Sequence, residues 1–251
     1  MDDTAYTEFA EIYERHWENF AELICPWFPV VLKRFRLHPH RILDLACGTG
    51  LFALHLAGKG YEVVGVDKSQ DMLDVARRRS NAQRLGVKWS CQDMRRLSWS
   101  EPVDCVTCWF DSLNYLTKRS DIAVTFGHVF DVLTPGGGLV FDVNTLRGLS
   151  DRWNTETRID VDTEDHFVVT DTVWDPETHC NTLMLHGFLR RGDTYRRIHE
   201  EHVQRAYPLD ELRELLVEAG FEDVHVFGRR NFNQVDEEAL RAFFFARRPA
   251  G

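Results

Sequence analysis

The stretch Ile42-Leu43-Asp44-Leu45-Ala46-Cys47-Gly48-Thr49-Gly50 limits what this chain can fold into more than any other. It reads as a strand running into a Gly-x-Gly turn that opens a helix, Leu51 to Ala57, with a second strand at Glu62 to Val66. That order is a βαβ unit. Its glycines let the backbone come close to a ligand, and the helix start presents N–H groups with no partner in the helix. The alternation continues. Ser69 caps a helix with Asp71 in its first turn and Met72, Leu73, Val75 and Ala76 on its apolar side. Strands at Val87 to Cys91 and Asp104 to Phe110, a helix from Asp121 to Leu133, a Thr134-Pro135-Gly136-Gly137-Gly138 turn and a strand at Leu139 to Val143 follow.

This pattern predicts an α/β fold, Rossmann-like and doubly wound, with a mostly parallel sheet whose ligands sit at the C-terminal strand ends. Before it, Tyr6, Phe9, Ala10, Ile12, Tyr13 and Trp17 recur at helical spacing, and a second apolar stretch runs from Trp27 to Phe35. Residues 1–40 therefore read as an N-terminal helical cap. Between Arg158 and Tyr207 the pattern shortens to alternating runs at Phe167 to Trp174, Thr182 to Leu189 and Tyr195 to Tyr207, broken by Asp175-Pro176 and Gly192-Asp193. We expect an antiparallel β insertion of about three strands over 158–207. The main domain is then 41–157 with 208–251, closing with a helix from Leu209 to Ala219 and strands at Val224 to Phe227 and Ala242 to Ala246.

With 40 acidic and 30 basic residues, the formal charge of −10 disfavours nucleic acid as a partner, because that binding draws on clustered Lys and Arg. Arg77-Arg78-Arg79 reads as a solvated helix face. No apolar run reaches the roughly 20 residues of a membrane span, and the acidic Met1-Asp2-Asp3 start is unlike a signal peptide, so the expected location is cytoplasmic, away from membranes. Cys105 and Cys108 have a metal-like spacing, but no second pair completes a site, and three residues apart on a strand they face opposite sides as small core residues. No metal is expected.

Taken alone, Gly48, Gly50 and Ala53 also fit a dinucleotide fold, with Asp67 where a ribose-binding acid would stand. Asp44 shifts the reading, because a carboxylate four residues before Gly48 would repel a pyrophosphate and suits a ligand bearing an ammonium and a sulfonium. After the third strand, Asp93 can accept from an exocyclic amine and Met94 can pack on an adenine face. Here the chain resembles the class I S-adenosylmethionine-dependent methyltransferases over nearly its whole length, and Leu133 to Gly138 is similar to that family's turn before its fifth strand. The resemblance implies that Asp44 serves the methionine end of the cofactor, Asp67 the ribose hydroxyls and Asp93 the adenine amine. Gly48, Gly50, Lys68, Met72, Met94 and Phe110 complete the expected cofactor set, and S-adenosylhomocysteine is the implied product.

The acceptor end is less defined. Trp109-Phe110-Asp111-Ser112-Leu113-Asn114-Tyr115 lacks the Pro-Pro-aromatic motif of enzymes that methylate nucleobases. This segment, the Tyr6/Tyr13 region and Glu201 to Tyr207 look like a small-molecule branch that includes glycine and aminosugar N-methyltransferases. Asp111 and Tyr13 are the expected catalytic residues; Tyr6, Asn144, Arg205 and Tyr207 are the expected substrate contacts. Four of these have a bland alternative: Tyr6 and Tyr13 as helix core, Asp111 as a turn cap, Arg205 as partner of an internal carboxylate. His199 and His202, three apart on a strand, face opposite sides and cannot share a metal. An amine acceptor is favoured over a hydroxyl because no convincing general base stands near the fourth and fifth strand ends. The alternatives are a nicotinamide-dependent oxidoreductase and a catalytically silent cofactor-binding partner protein. The insertion is read as a cover over the acceptor, or else as a homodimer interface.

Overall fold

The computed structural model describes residues 19–151, 157–229, 232, 235 and 238–251. Tyr6 and Tyr13 lie outside the described residues. Two short helices, α1 (Asn19–Ile24) and α2 (Phe28–Arg34), precede the sheet. Pro29 sits in the first turn of α2, where its missing N–H costs no helical bond. The main sheet then builds as β1 (Arg41–Leu45), α3 (Leu51–Gly58), β2 (Glu62–Asp67), α4 (Gln70–Gln83), β3 (Val87–Cys91), β4 (Val103–Cys108), α5 (Arg119–Val132) and β5 (Leu133–Asn144). After α6 (Leu146–Asp151) the chain makes β6 (Arg158–Asp162), β7 (His166–Asp175), β8 (Cys180–Arg191) and β9 (Thr194–Arg205). It returns through α7 (Leu209–Glu218), β10 (Glu222–Phe227) and β11 (Arg241–Arg247).

The seven-stranded sheet has the order β10-β11-β5-β4-β1-β2-β3. β1 pairs in parallel with both β2 and β4, so the winding reverses between β1 and β4, and β11 enters antiparallel to β5 and β10. A crevice opens at such a reversal, at the C-terminal strand ends. Strands covered on both faces read as near-continuous apolar runs, as β2 does from Val63 to Val66 and β11 from Ala242 to Ala246. Leu43, Val106 and Phe141 feed one buried layer, under α5 and α7, whereas Ile42, Cys105 and Val140 feed the other, under α1 to α3. Cys105 and Cys108 fall in different layers and are free thiols. Phe35 stacks on Phe245 at 4.1 Å, and Trp27 packs edge-on against Phe243 at 4.8 Å. Burying such a ring is worth about 1.5–3 kcal/mol, which ties the N-terminal helices to the last strand.

Local rules explain the element ends. Ser69 Oγ accepts from the Met72 amide and starts α4, and Arg84 ends it in the left-handed region at φ 56°. The Thr134 to Gly137 turn bulges out of β5: Val103 pairs with Leu133 while Cys105 already pairs with Gly138. The second sheet has four antiparallel strands in the order β6-β7-β8-β9, so β6 was not anticipated as a strand of its own, and the last strand stops at Arg205, short of Tyr207. No described helix is long and apolar enough to cross a membrane.

Candidate functional site

A cavity of about 900 Å³ lies at the ends of β1, β2, β3 and β4. From β1 come Asp44 and the turn Ala46 to Thr49; from β2, Asp67 and Lys68; from α4, Met72; after β3, Asp93 and Met94; and after β4, Phe110. The helix α1 adds Phe20, whose ring stacks on Phe110 at 4.8 Å, and β9 adds His199, Glu200, Glu201 and Val203. The structure thus brings together Asp44, Gly48, Asp67, Lys68, Met72, Asp93, Met94 and Phe110 from the expected set. Gly50, Asp111, Asn144, Arg205 and Tyr207 do not line it.

The glycine turn is held by Asp67, whose Oδ2 accepts from the Gly48 amide and whose Oδ1 accepts from the Ser69 amide, each at 2.8 Å. Gly48 has φ 53° and nothing within 4 Å of where a Cβ would stand, so its backbone is open to a ligand. Gly50 does something else. It caps α3 at φ 79°, and a Cβ there would come within 2.5 Å of Trp89 and 2.9 Å of Ala76. The left-handed cost of about 1–2 kcal/mol and an overpacking cost of about 1–3 kcal/mol lead us to expect that Gly50→Ala destabilises the fold by at least about 2 kcal/mol. Denaturant unfolding measures this, and a loss under about 0.5 kcal/mol would show that the helix start yields freely.

Asp44 is 2% exposed, and its Oδ1 accepts from the Thr107 hydroxyl at 2.8 Å. Burial pushes its carboxyl up to about 7, with the nearby Asp67 charge adding to the rise. Burial also raises Asp67, while the Ser69 and Gly48 amides pull against it. A buried carboxyl raised further by a second carboxylate marks a place that favours a cation, which fits a sulfonium–ammonium ligand and not a pyrophosphate. Asp93 is held low by Arg95, which bonds both of its oxygens; any adenine amine there shares those oxygens with a guanidinium.

The acceptor-side expectations need correction. Phe110 and Asp111 both stand in the left-handed region, at φ 59° and 50°. Asp142 holds this turn, accepting from the Phe110 amide at 2.7 Å and the Asp111 amide at 3.1 Å. The turn aims Phe110 into the cavity and Asp111 away from it. Asp111 bonds Arg241 at 2.6 Å and Gln204 at 2.6 Å, and Arg241 also binds Asp142 and, at 3.0 Å, Asn144 Oδ1. A buried carboxylate already paired with an arginine is no base for an acceptor. Asn144 further binds Gln204 at 3.3 Å, Arg205 donates to the Thr117 carbonyl at 3.2 Å and lies 4.6 Å over the Tyr207 ring, and the buried Tyr207 hydroxyl donates to the Leu116 carbonyl. These residues dock the second sheet onto the main one. Arg241 was not anticipated; the only signal was a cation directly before the apolar run from Ala242.

A mostly parallel sheet with one antiparallel strand, reversed at a glycine turn flanked by acids, defines a nucleoside-binding α/β enzyme. Residues 42–137 match the methyltransferase domain family. The chain is 34% identical to the putative methyltransferase YqeM of Bacillus subtilis, over 97% of each chain. An S-adenosylmethionine-dependent methyltransferase structure from Clostridium acetobutylicum superposes with a TM-score of 0.84 at 26% identity, covering 97% of this chain and 99% of that one. A sugar N-methyltransferase structure from Streptoalloteichus superposes with a TM-score of 0.76 at 21% identity, over 98% of this chain and 93% of that one. The chain belongs to the class I S-adenosylmethionine-dependent methyltransferase family, and S-adenosylmethionine is its methyl donor.

Proposed function

We propose that the enzyme methylates the nitrogen of a small amine. The observation that carries this reading is the wall that β9 gives the cavity: Glu200 and Glu201, with Tyr115, Phe20 and Phe110 also lining the space. Carboxylates and aromatic faces attract a protonated amine and have little use for a neutral hydroxyl. The similar fold of a sugar N-methyltransferase supports the same acceptor class. The cofactor is held by Asp44 at its methionine ammonium, the Gly48 backbone and Asp67 at the ribose, and Asp93 with Met94 at the adenine; Lys68, Met72 and Phe110 fill the spaces between. The sulfonium supplies an activated methyl group. The protein's part is to align the nucleophile with it and exclude water, which is worth roughly 7–11 kcal/mol.

The test is a matched panel of small amines and alcohols incubated with enzyme and S-adenosylmethionine, with products read by mass spectrometry. Methylated amines are expected, and turnover confined to hydroxyl acceptors would overturn the reading. Asp44 gives a second check. Its carboxyl rests at about 7 in the free protein, and a cation against it favours ionisation, so binding expels a proton wherever the free acid is still protonated. Affinity for S-adenosylhomocysteine is therefore expected to rise as pH climbs toward 7 and then level off. Calorimetry near pH 6.5, in two buffers of different ionisation enthalpy, reads the released proton directly. Binding with no proton release would remove Asp44 from the methionine end.

A further inference from the structure

Behind the β9 wall lies a chain of polar groups that alignment of the methyl group alone does not require. Tyr115 Oη lies 3.3 Å from Nδ1 of His202, and Nε2 of the same ring lies 3.1 Å from Oε2 of Glu200. Glu200 and His202 are two apart on β9 and so share a face. They are only 4% and 5% exposed. Tyr115 and Glu200 line the cavity, whereas His202 does not, so both ends of the chain reach the ligand space and its middle is sealed. One neutral imidazole satisfies both links: the tyrosine hydroxyl donates to Nδ1, and Nε2–H donates to the carboxylate.

Building on the amine reading above, we propose that Tyr115, His202 and Glu200 accept the proton that the amine must lose before it is methylated. A protonated amine has no lone pair with which to attack. It gives its proton to the Tyr115 oxygen as the tyrosine's own proton moves to Nδ1, and the imidazolium formed is offset by the Glu200 carboxylate. The neutral nitrogen then bonds to the methyl carbon while the carbon–sulfur bond breaks with its electron pair on sulfur. The positive charge passes from sulfur to the product nitrogen, and His202 returns its proton to water once the product leaves. The carboxylate–imidazole–hydroxyl division of labour is that of a serine hydrolase triad, with a phenol in the serine's place. Tyr115 touches the acceptor; His202 and Glu200 position and charge it.

Sinefungin tests this without a known acceptor, because it carries an amine-bearing carbon where S-adenosylmethionine has its methylated sulfur. Its ammonium then stands at the reacting end, while S-adenosylhomocysteine offers nothing there. In Tyr115→Phe and Glu200→Gln, sinefungin affinity is expected to fall roughly tenfold, the scale of one charge-assisted hydrogen bond, with S-adenosylhomocysteine affinity within about twofold of the parent's. His202→Asn should lower the same ratio, which a purely structural role would leave unmoved. An unchanged ratio in all three variants would overturn the proposal and leave the cofactor reading intact. If the parent bound neither ligand, the methyltransferase site itself would be misplaced and the proposal would fall with it. A crystal structure of the parent with sinefungin keeps the question open to refutation should a variant fail to fold. Its amine nitrogen is expected within about 3.2 Å of Tyr115 Oη, and a separation beyond roughly 5 Å from that oxygen would refute the proton path.

Discussion

Replacing Asp67 with Ala is expected to weaken S-adenosylhomocysteine binding by roughly a hundredfold or more, measured by calorimetry at neutral pH. The Asp67 oxygens accept the Gly48 and Ser69 amides, and in the proposed cofactor pose the carboxylate's remaining acceptor capacity faces the ribose hydroxyls. Two hydrogen bonds to a charged group contribute about 1.5–3 kcal/mol each, and 1.4 kcal/mol is tenfold, so losing both reaches a hundredfold. The same substitution frees the Gly48 amide, which loosens the turn that faces the ligand. Asp67→Asn keeps the shape and one acceptor oxygen and should cost less. A dissociation constant for Asp67→Ala within twofold of the parent's would mean that Asp67 serves only the glycine turn.

The largest effect on stability is expected at a residue that does not line the cavity but lies behind two rings that do, Phe20 and Phe110. Arg241→Met leaves Asp111 and Asp142 buried against each other with no guanidinium between them. Asp142 is fully buried and Asp111 only 5% exposed, so neither can turn to water. Removing one partner of such a buried group costs about 3–5 kcal/mol, which for a chain of this size is a fall in Tm of roughly 10 °C. The pH dependence has a definite sign. Burial lifts Asp142 to about 6 while Arg241 pulls it down, so without the arginine Asp142 is easier to protonate. A neutral Asp142 needs no counterion, and the loss should be largest near pH 8 and shrink toward pH 5. A loss under about 1 kcal/mol at pH 8 would rank the network with ordinary surface ion pairs.

The ligand end of the cavity was legible because its parts are local. Gly48 and Asp44 stand in one strand-turn unit, Asp67 ends the next strand, and Ser69 advertises its helix by capping chemistry alone. None of those inferences needs a contact between distant segments. The acceptor end was not legible for the opposite reason. Asp111 is polar at a strand end, which looks the same whether it faces a ligand or an arginine 130 residues away. Nor does any local rule mark Phe110 and Asp111 for the left-handed region, since neither is glycine; the fold imposes it through Asp142. The alternation of β9 separates the faces of His199 and His202 correctly, but Tyr115 meets His202 across 87 residues, so the link between them is written only in the topology. The strand β6 was lost in a polar run, Arg158 to Asp162, where Val161 alone is buried.

The distance between Asp111 and Arg241 also governs how the molecule is made. A ribosome adds about 5–20 residues per second, so the acid emerges some ten seconds before its cation. During that interval the glycine turn, its flanking acids and their three strands are already present, while Asp111 and Asp142 still lack the guanidinium that joins them behind the turn that aims Phe110. The newborn chain therefore acquires the means to recognise a nucleoside well before it acquires a wall against water. Translation stalled before the last strand should yield a polypeptide that has those acids in place yet cannot shield a reacting methyl group.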